Sequence, residues 1–140
     1  MGLQGIRVCL RGGGGEKPMG DAFFKLLGIE AGFGFGLSPS RSAWQWAIAE
    51  LFVVQMDDVK NEFEPTEVFA NRIREGFERA SLLLQKCSLD GLRQWRASDK
   101  MAGIFIGGWL AIEQFDLDIP AAFLSECARL ELALSICTND

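Results

Sequence analysis

Proton transfer, nucleophilic attack, metal binding and phosphate binding each require particular side chains, and this 140-residue chain is short of most of them. It has no histidine and no tyrosine. Without histidine no Ser-His or Cys-His nucleophile pair can form. The side chain whose ordinary pKa suits proton transfer near neutrality is missing as well. Acid–base chemistry would fall to carboxylates or lysines. The four cysteines (Cys9, Cys87, Cys127, Cys137) form no C-x-x-C pair, and zinc's commonest partner is lacking, so no metal site is expected. They read instead as buried small hydrophobes.

Two glycine-rich stretches are the natural candidates for a phosphate cradle. In Gly12–Gly15 the nearby Lys17 precedes Pro18 rather than a hydroxyl residue, and Glu16 would repel a phosphate. Gly32, Gly34 and Gly36 have G-x-G-x-G spacing and precede a strand, whereas a dinucleotide fingerprint is G-x-G-x-x-G opening a helix. Both stretches, within Arg11–Pro18 and Ala31–Ser40, are expected to be loops that bind no cofactor.

The densest charge lies at Asp57, Asp58, Glu62, Glu64 and Glu67, offset only by Lys60, for a local net charge of −4. The spacing fits no EF-hand, which needs ligands at alternate positions and a central glycine. Two roles remain: a solvated connection whose charge favours the following helix N-terminus, or an acidic patch that meets a basic protein. Among the aromatics, Trp44 and Trp46 suit a core strand face. Phe33 and Trp109 lie beside glycines in expected loops, where an exposed ring could anchor an interface. Asp57, Asp58, Glu62, Glu64, Phe33 and Trp109 are thus the candidate protein-binding residues.

The elements that would position these residues follow from periodicity. Ile6, Val8 and Leu10 alternate with Arg7, Cys9 and Arg11, the period-2 pattern of a strand. A short helix carries Phe23, Leu26 and Leu27 and stops at Gly28. Trp44–Val54 reads as a strand. Pro65 and Thr66 open the longest helix, with Phe69, Ile73, Phe77, Ala80 and Leu84 on one face, and Ser88–Gly91 ends it. Leu92–Trp95 and Gly103–Ile106 read as extended around an Ala97–Lys100 turn, and Arg93 and Arg96 suggest cation–π packing of Trp95 on a strand. Phe115 and Leu117 alternate ahead of Pro120, which starts a helix bearing Phe123, Leu124, Cys127 and Ala128. Leu132–Ile136 is a last strand. The order strand, helix, strand, helix, strands, helix, strand predicts one α+β domain over residues 1–140. Its single, mostly antiparallel sheet would have helices packed on one face.

Composition bounds the partners. Nineteen acids against fourteen bases, a net charge of −5, disfavour nucleic acid. The longest apolar runs fall far below the roughly 20 residues that span a bilayer. With no secretory pattern at the N-terminus, a cytoplasmic protein is expected.

The segments Ile6–Arg11, Leu26-Leu27-Gly28-Ile29-Glu30, Trp44-Gln45-Trp46, Gly103–Gly108, Phe115-x-Leu117, Pro120–Leu130 and Leu132–Cys137 resemble a family of small bacterial α+β domains of unassigned function. Some of its members are regarded as immunity proteins beside toxin genes. The glycine loops depart from the family's more charged ones, and the resemblance carries over no functional residue. It implies a non-catalytic domain that binds and neutralises a cognate, basic toxin or effector. The alternatives are a homodimeric scaffold or regulatory module and, third, an enzyme built on paired carboxylates.

Overall fold

The structure is a computed structural model that describes residues 3–13, 20–28, 35–39, 45–110 and 116–138. In chain order its elements are β1 (Leu3–Gly13), α1 (Gly20–Leu27), β2 (Phe35–Pro39), β3 (Gln45–Gln55), α2 (Pro65–Gln85), α3 (Leu89–Arg96), β4 (Met101–Leu110), α4 (Ala121–Arg129) and β5 (Ala133–Thr138). The strands form one sheet in the order β2-β3-β1-β4-β5. All neighbours are antiparallel except β4 and β5, which run parallel because helix α4 makes the crossover between them. The α+β architecture and the mostly antiparallel sheet are as expected. Among the described residues no helix is long and apolar enough to cross a membrane.

Alternation along β1 decides which side becomes core. Ile6, Val8 and Leu10 are fully buried, and their partners Val54, Phe52 and Ala49 on β3 and Ile106 and Ile104 on β4 lie in the same core. The helices cover this side. Phe23 of α1 lies against Gly12, where a Cβ would come within 2.5 Å of its ring. Phe77 of α2 meets Phe52 of β3 at 5.0 Å between ring centroids and Phe123 of α4 at 4.9 Å. Phe69, Ile73, Phe77, Ala80 and Leu84 are buried along α2 as their spacing predicted. Each large apolar side chain in that row contributes on the order of 2 kcal/mol.

The opposite sheet face carries side chains of β1, β3 and β4 and no described helix. Arg11 stacks its guanidinium 4.4 Å from the Phe105 ring centroid. Arg7 lies 3.9 Å from Glu50, an exposed pair of little energetic weight. Cys9 is buried among them. Leu51 is the extra residue of a β-bulge, since Val8 faces Phe52 while Cys9 faces Glu50.

Several local expectations are corrected. Leu92–Trp95 is helical rather than extended, because Ser88 caps α3 instead of ending α2: its Oγ accepts the Gly91 N–H at 3.0 Å. Leu92 and Trp95, three residues apart, then share the buried face. The cation over Trp95 is Lys100, 4.6 Å from the ring centroid, and the ring stands on a helix. Neither glycine stretch is wholly loop: Arg11–Gly13 belongs to β1 and Phe35–Pro39 is β2, while 14–19, 31–34 and 40 lie outside the described residues. Gly12 stays in the strand because the Phe23 ring occupies the space of its missing side chain. On α4, Leu124 and Ala128 are exposed, and only Phe123 and Cys127 of the expected face are buried. Gly28 does end α1 in the left-handed region, at φ 74°. Trp44 and Phe115 lie outside the described residues, and Trp46 is placed only by its backbone pairing with Gly13 and Ser38.

The thiols are free and divide by exposure: Cys9, Cys87 and Cys127 are buried, whereas Cys137 is exposed on β5, against expectation, because that strand lies at the sheet edge. Burial raises the Cys9 thiol and pushes those of Cys87 and Cys127 up to about 11. Two results are expected. A thiol reagent at pH 8 should modify native protein rapidly at Cys137 alone, and all four cysteines after unfolding. As pH rises from about 9, the unfolded chain loses thiol protons that the folded one retains at Cys87 and Cys127. Stability should therefore fall between pH 9 and 11, by roughly 2 kcal/mol or more. Urea unfolding midpoints across that range, compared with a Cys87→Ala, Cys127→Ala variant, measure the effect.

Candidate functional site

Strand β3 runs out of partners at Gln55, opposite Gly5, and the chain turns through a single 3₁₀ turn at Met56–Asp58. Val59 anchors the turn: its side chain is fully buried and its N–H donates to the Met56 carbonyl at 3.0 Å. The Glu62 N–H then donates to the Val59 carbonyl at 2.9 Å. Glu64 adopts a left-handed conformation, φ 54° and ψ 63°, immediately before Pro65 opens α2. Its carbonyl accepts the Glu67 and Val68 N–H groups, both at 3.1 Å. A non-glycine residue held there costs on the order of 1 kcal/mol, which the helix start and the anchored turn must offset.

This backbone path leaves Phe63 88% exposed between Glu62 and Glu64. Burying such a ring on a partner is worth roughly 1.5–3 kcal/mol. Asp57, Asp58, Glu62 and Glu64, in the same turn, are all exposed. The Glu64 carboxyl is raised above the ordinary carboxylate range by its hydrogen bond with Glu67. Glu64 and Glu67 thus crowd each other, an arrangement that a cationic partner would relieve.

Two of the expected site residues meet across the sheet end. Trp109 lies in strand β4, not in a loop as expected, because Met101–Leu110 pairs with β1 along its whole length. Its indole lies over Gly5, where a Cβ would come within 2.6 Å of the ring. Trp109 and Asp57 line one shallow cleft of about 290 Å³ together with Gln4 and Gln55. Asp58 lines a second, of about 280 Å³, with Arg72, Glu75 and Arg79 of α2. The start of the acidic turn therefore borders two clefts, one at Asp57 and one at Asp58. Phe33 lies outside the described residues.

Phe63 is the residue that sequence reasoning passed over. The signal was present: one large apolar side chain between two glutamates, directly before a helix-opening proline. Its exposure could not be read from the sequence, because it depends on Val59, four residues earlier, taking the buried position instead.

The carboxylates of Asp116 and Asp118 line a further cleft of about 290 Å³, beside Arg74, Ile73 and Ile119. Both acids are exposed. Among the described residues no group of three or more cysteines, aspartates and glutamates is placed to hold a metal ion. No protein-family model, curated protein or solved structure matches this chain.

Proposed function

We propose that this chain is a non-catalytic protein-binding domain of the immunity type, which neutralises a basic toxin or effector by docking the Asp57–Glu67 turn on it. The observation that carries the proposal is Phe63, an 88% exposed aromatic within an acidic turn that Val59 anchors in the core. An apolar anchor with a polar rim is ordinary interface anatomy: the ring supplies affinity when desolvated. The surrounding carboxylates speed encounter with a basic surface and fix its orientation. Asp57, Asp58, Glu62 and Glu64 form the rim, and Trp109 offers a second aromatic surface across the adjoining cleft. With a net charge of −5 the chain suits a cationic protein better than a polyanion such as nucleic acid. Cytoplasmic residence belongs to the same proposal, and four free thiols suit it.

The test is co-purification with the product of the adjacent gene, together with survival of cells expressing that product. Phe63→Ala is expected to weaken the complex by roughly 2 kcal/mol, about 30-fold, with the unfolding midpoint unchanged because the residue is 88% exposed in the free protein. Charge reversal at Asp57 and Asp58 should slow association and flatten its salt dependence. The proposal fails if the complex forms equally well with Phe63→Ala and the charge-reversed turn, or if there is neither complex nor rescue.

A further inference from the structure

Strand β5 departs from the way edge strands are normally protected. It hydrogen-bonds to β4 on one side in unbroken register, from Gly103–Ala133 to Gly108–Thr138, and among the described residues it is the last strand of the sheet. Its sequence, Ala-Leu-Ser-Ile-Cys-Thr, has no charge, no proline and no bulge. These are the devices that keep edges from pairing with other chains. Five of its six residues are exposed, and Leu134 is half-buried.

The flank of α4 beside this edge is similarly uncovered. Leu134 and Ile136 pair with the core residues Ile104 and Ile106, which places them on the helix-covered side of the sheet, yet Ile136 is 54% exposed. Arg129 reaches α2 through a 2.8 Å hydrogen bond from Nη2 to the Leu84 carbonyl, and pairs with Glu126 at 2.9 Å. That turns the polar flank of α4 toward α2. Leu124, 41% exposed, and Ala128 occupy the flank that faces away from it. Edge and helix flank together make one uncharged apolar strip.

We infer that this strip is a homodimer interface, in which β5 pairs antiparallel with β5 of a second copy about a twofold axis normal to the sheet. This axis keeps the helices of both copies on one side, continues the sheet from one copy into the other, and brings the two α4 flanks together. A twofold contact at β5 also closes on itself, leaving neither copy with an open β5 edge. Electrostatics favour a like copy over the basic partner of the acidic turn, since β5 offers a cation nothing to pair with. Glu131, two residues before β5, is held by Arg93 at 2.6 Å, and antiparallel pairing moves it away from its counterpart toward the far strand end. The net charge of each copy opposes association only at long range, where salt screens it within about 8 Å at physiological ionic strength. The inference does not depend on the acidic-turn proposal, because β3, which leads into that turn, is three strands away from β5.

Sedimentation equilibrium of the full chain decides it. The expected mass is twice 15.5 kDa at tens of micromolar, with dissociation weakening as salt is raised from low to physiological. Ile136→Lys and Leu124→Lys, each at an exposed position, should separately weaken the dimer by a hundredfold or more while keeping the native circular dichroism spectrum. A flexible bis-maleimide should trap the dimer through exposed Cys137 and fail with Cys137→Ser. Phe63→Ala should leave the dimer mass intact, so the two proposals fail separately. A monomer at several hundred micromolar, or a dimer indifferent to both lysine substitutions, overturns the inference.

Discussion

Gly91→Ala is expected to destabilise the fold by on the order of 3 kcal/mol and to lower the melting temperature by about 10 °C. In an exposed helix the same change would stabilise by about 1 kcal/mol, because alanine is the better helix former. Here the sign reverses. Gly91 is the third residue of α3 and is buried where α1 crosses it. A Cβ on it would overlap the Leu26 carbonyl oxygen and sit 2.7 Å from the carbonyl carbon. A side-chain obstacle could rotate away; a helix carbonyl cannot. To make room α1 must lift, which loosens the 3.1 Å bond from the Ser88 N–H to the Leu27 carbonyl and the 4.9 Å contact between Phe23 and Trp95. Urea unfolding checks this, and a midpoint equal to or above wild type would refute the assignment of Gly91 to a helix crossing.

Trp95→Ala is expected to cost more, about 4 kcal/mol, within the range for removing a buried aromatic. The indole is 1% exposed, packs against Phe23, lies under Lys100 and donates its Nε1–H to the Met101 carbonyl at 2.8 Å. It thereby ties α3 to the first residue of β4. Trp95→Phe keeps most of the ring but leaves that carbonyl without its indole donor, so a loss of about 1–2 kcal/mol is expected. Set against the 5–15 kcal/mol stability of an ordinary domain, the alanine variant should melt far below wild type and the phenylalanine variant only moderately so. Thermal denaturation followed by circular dichroism distinguishes them. A phenylalanine variant as stable as wild type would mean that the Nε1 bond contributes nothing, and equal losses in the two variants that the retained ring contributes nothing.

The two positions also show where sequence reasoning succeeds and where it stops. Strong periodicity was enough for β1, β3 and α2, because burial there repeats at a fixed interval and the chain writes it out: Ile6, Val8 and Leu10, or Phe69, Ile73 and Phe77. Residues 88–96 were harder. Leu-Arg-Gln-Trp fits either an extended segment or one helical turn, and eight residues give too little repetition to decide. The choice was settled by the Ser88 cap and by α1, which arrives from sixty residues earlier in sequence and admits only a glycine at position 91.

The candidate site divides in the same way. Its acidity was legible, because charge is a property of composition and survives any fold. Its shape was not. Phe63 is exposed because Val59 fills the pocket beneath the turn, and Asp57 faces Trp109 because β1 lies between β3 and β4. Strand order depends on pairing between distant segments, which local periodicity does not encode.

By itself, then, the amino-acid sequence determined the α+β class, the helix-opening Pro65, the stop at Gly28 and the missing histidine chemistry. These rest on local backbone preference or on residue identity. The tertiary structure alone decided which aromatic stands exposed, which glycines admit a neighbour, and which strand ends the sheet. Each of these is a contact between segments far apart in the chain, and its energy exists only once both have arrived.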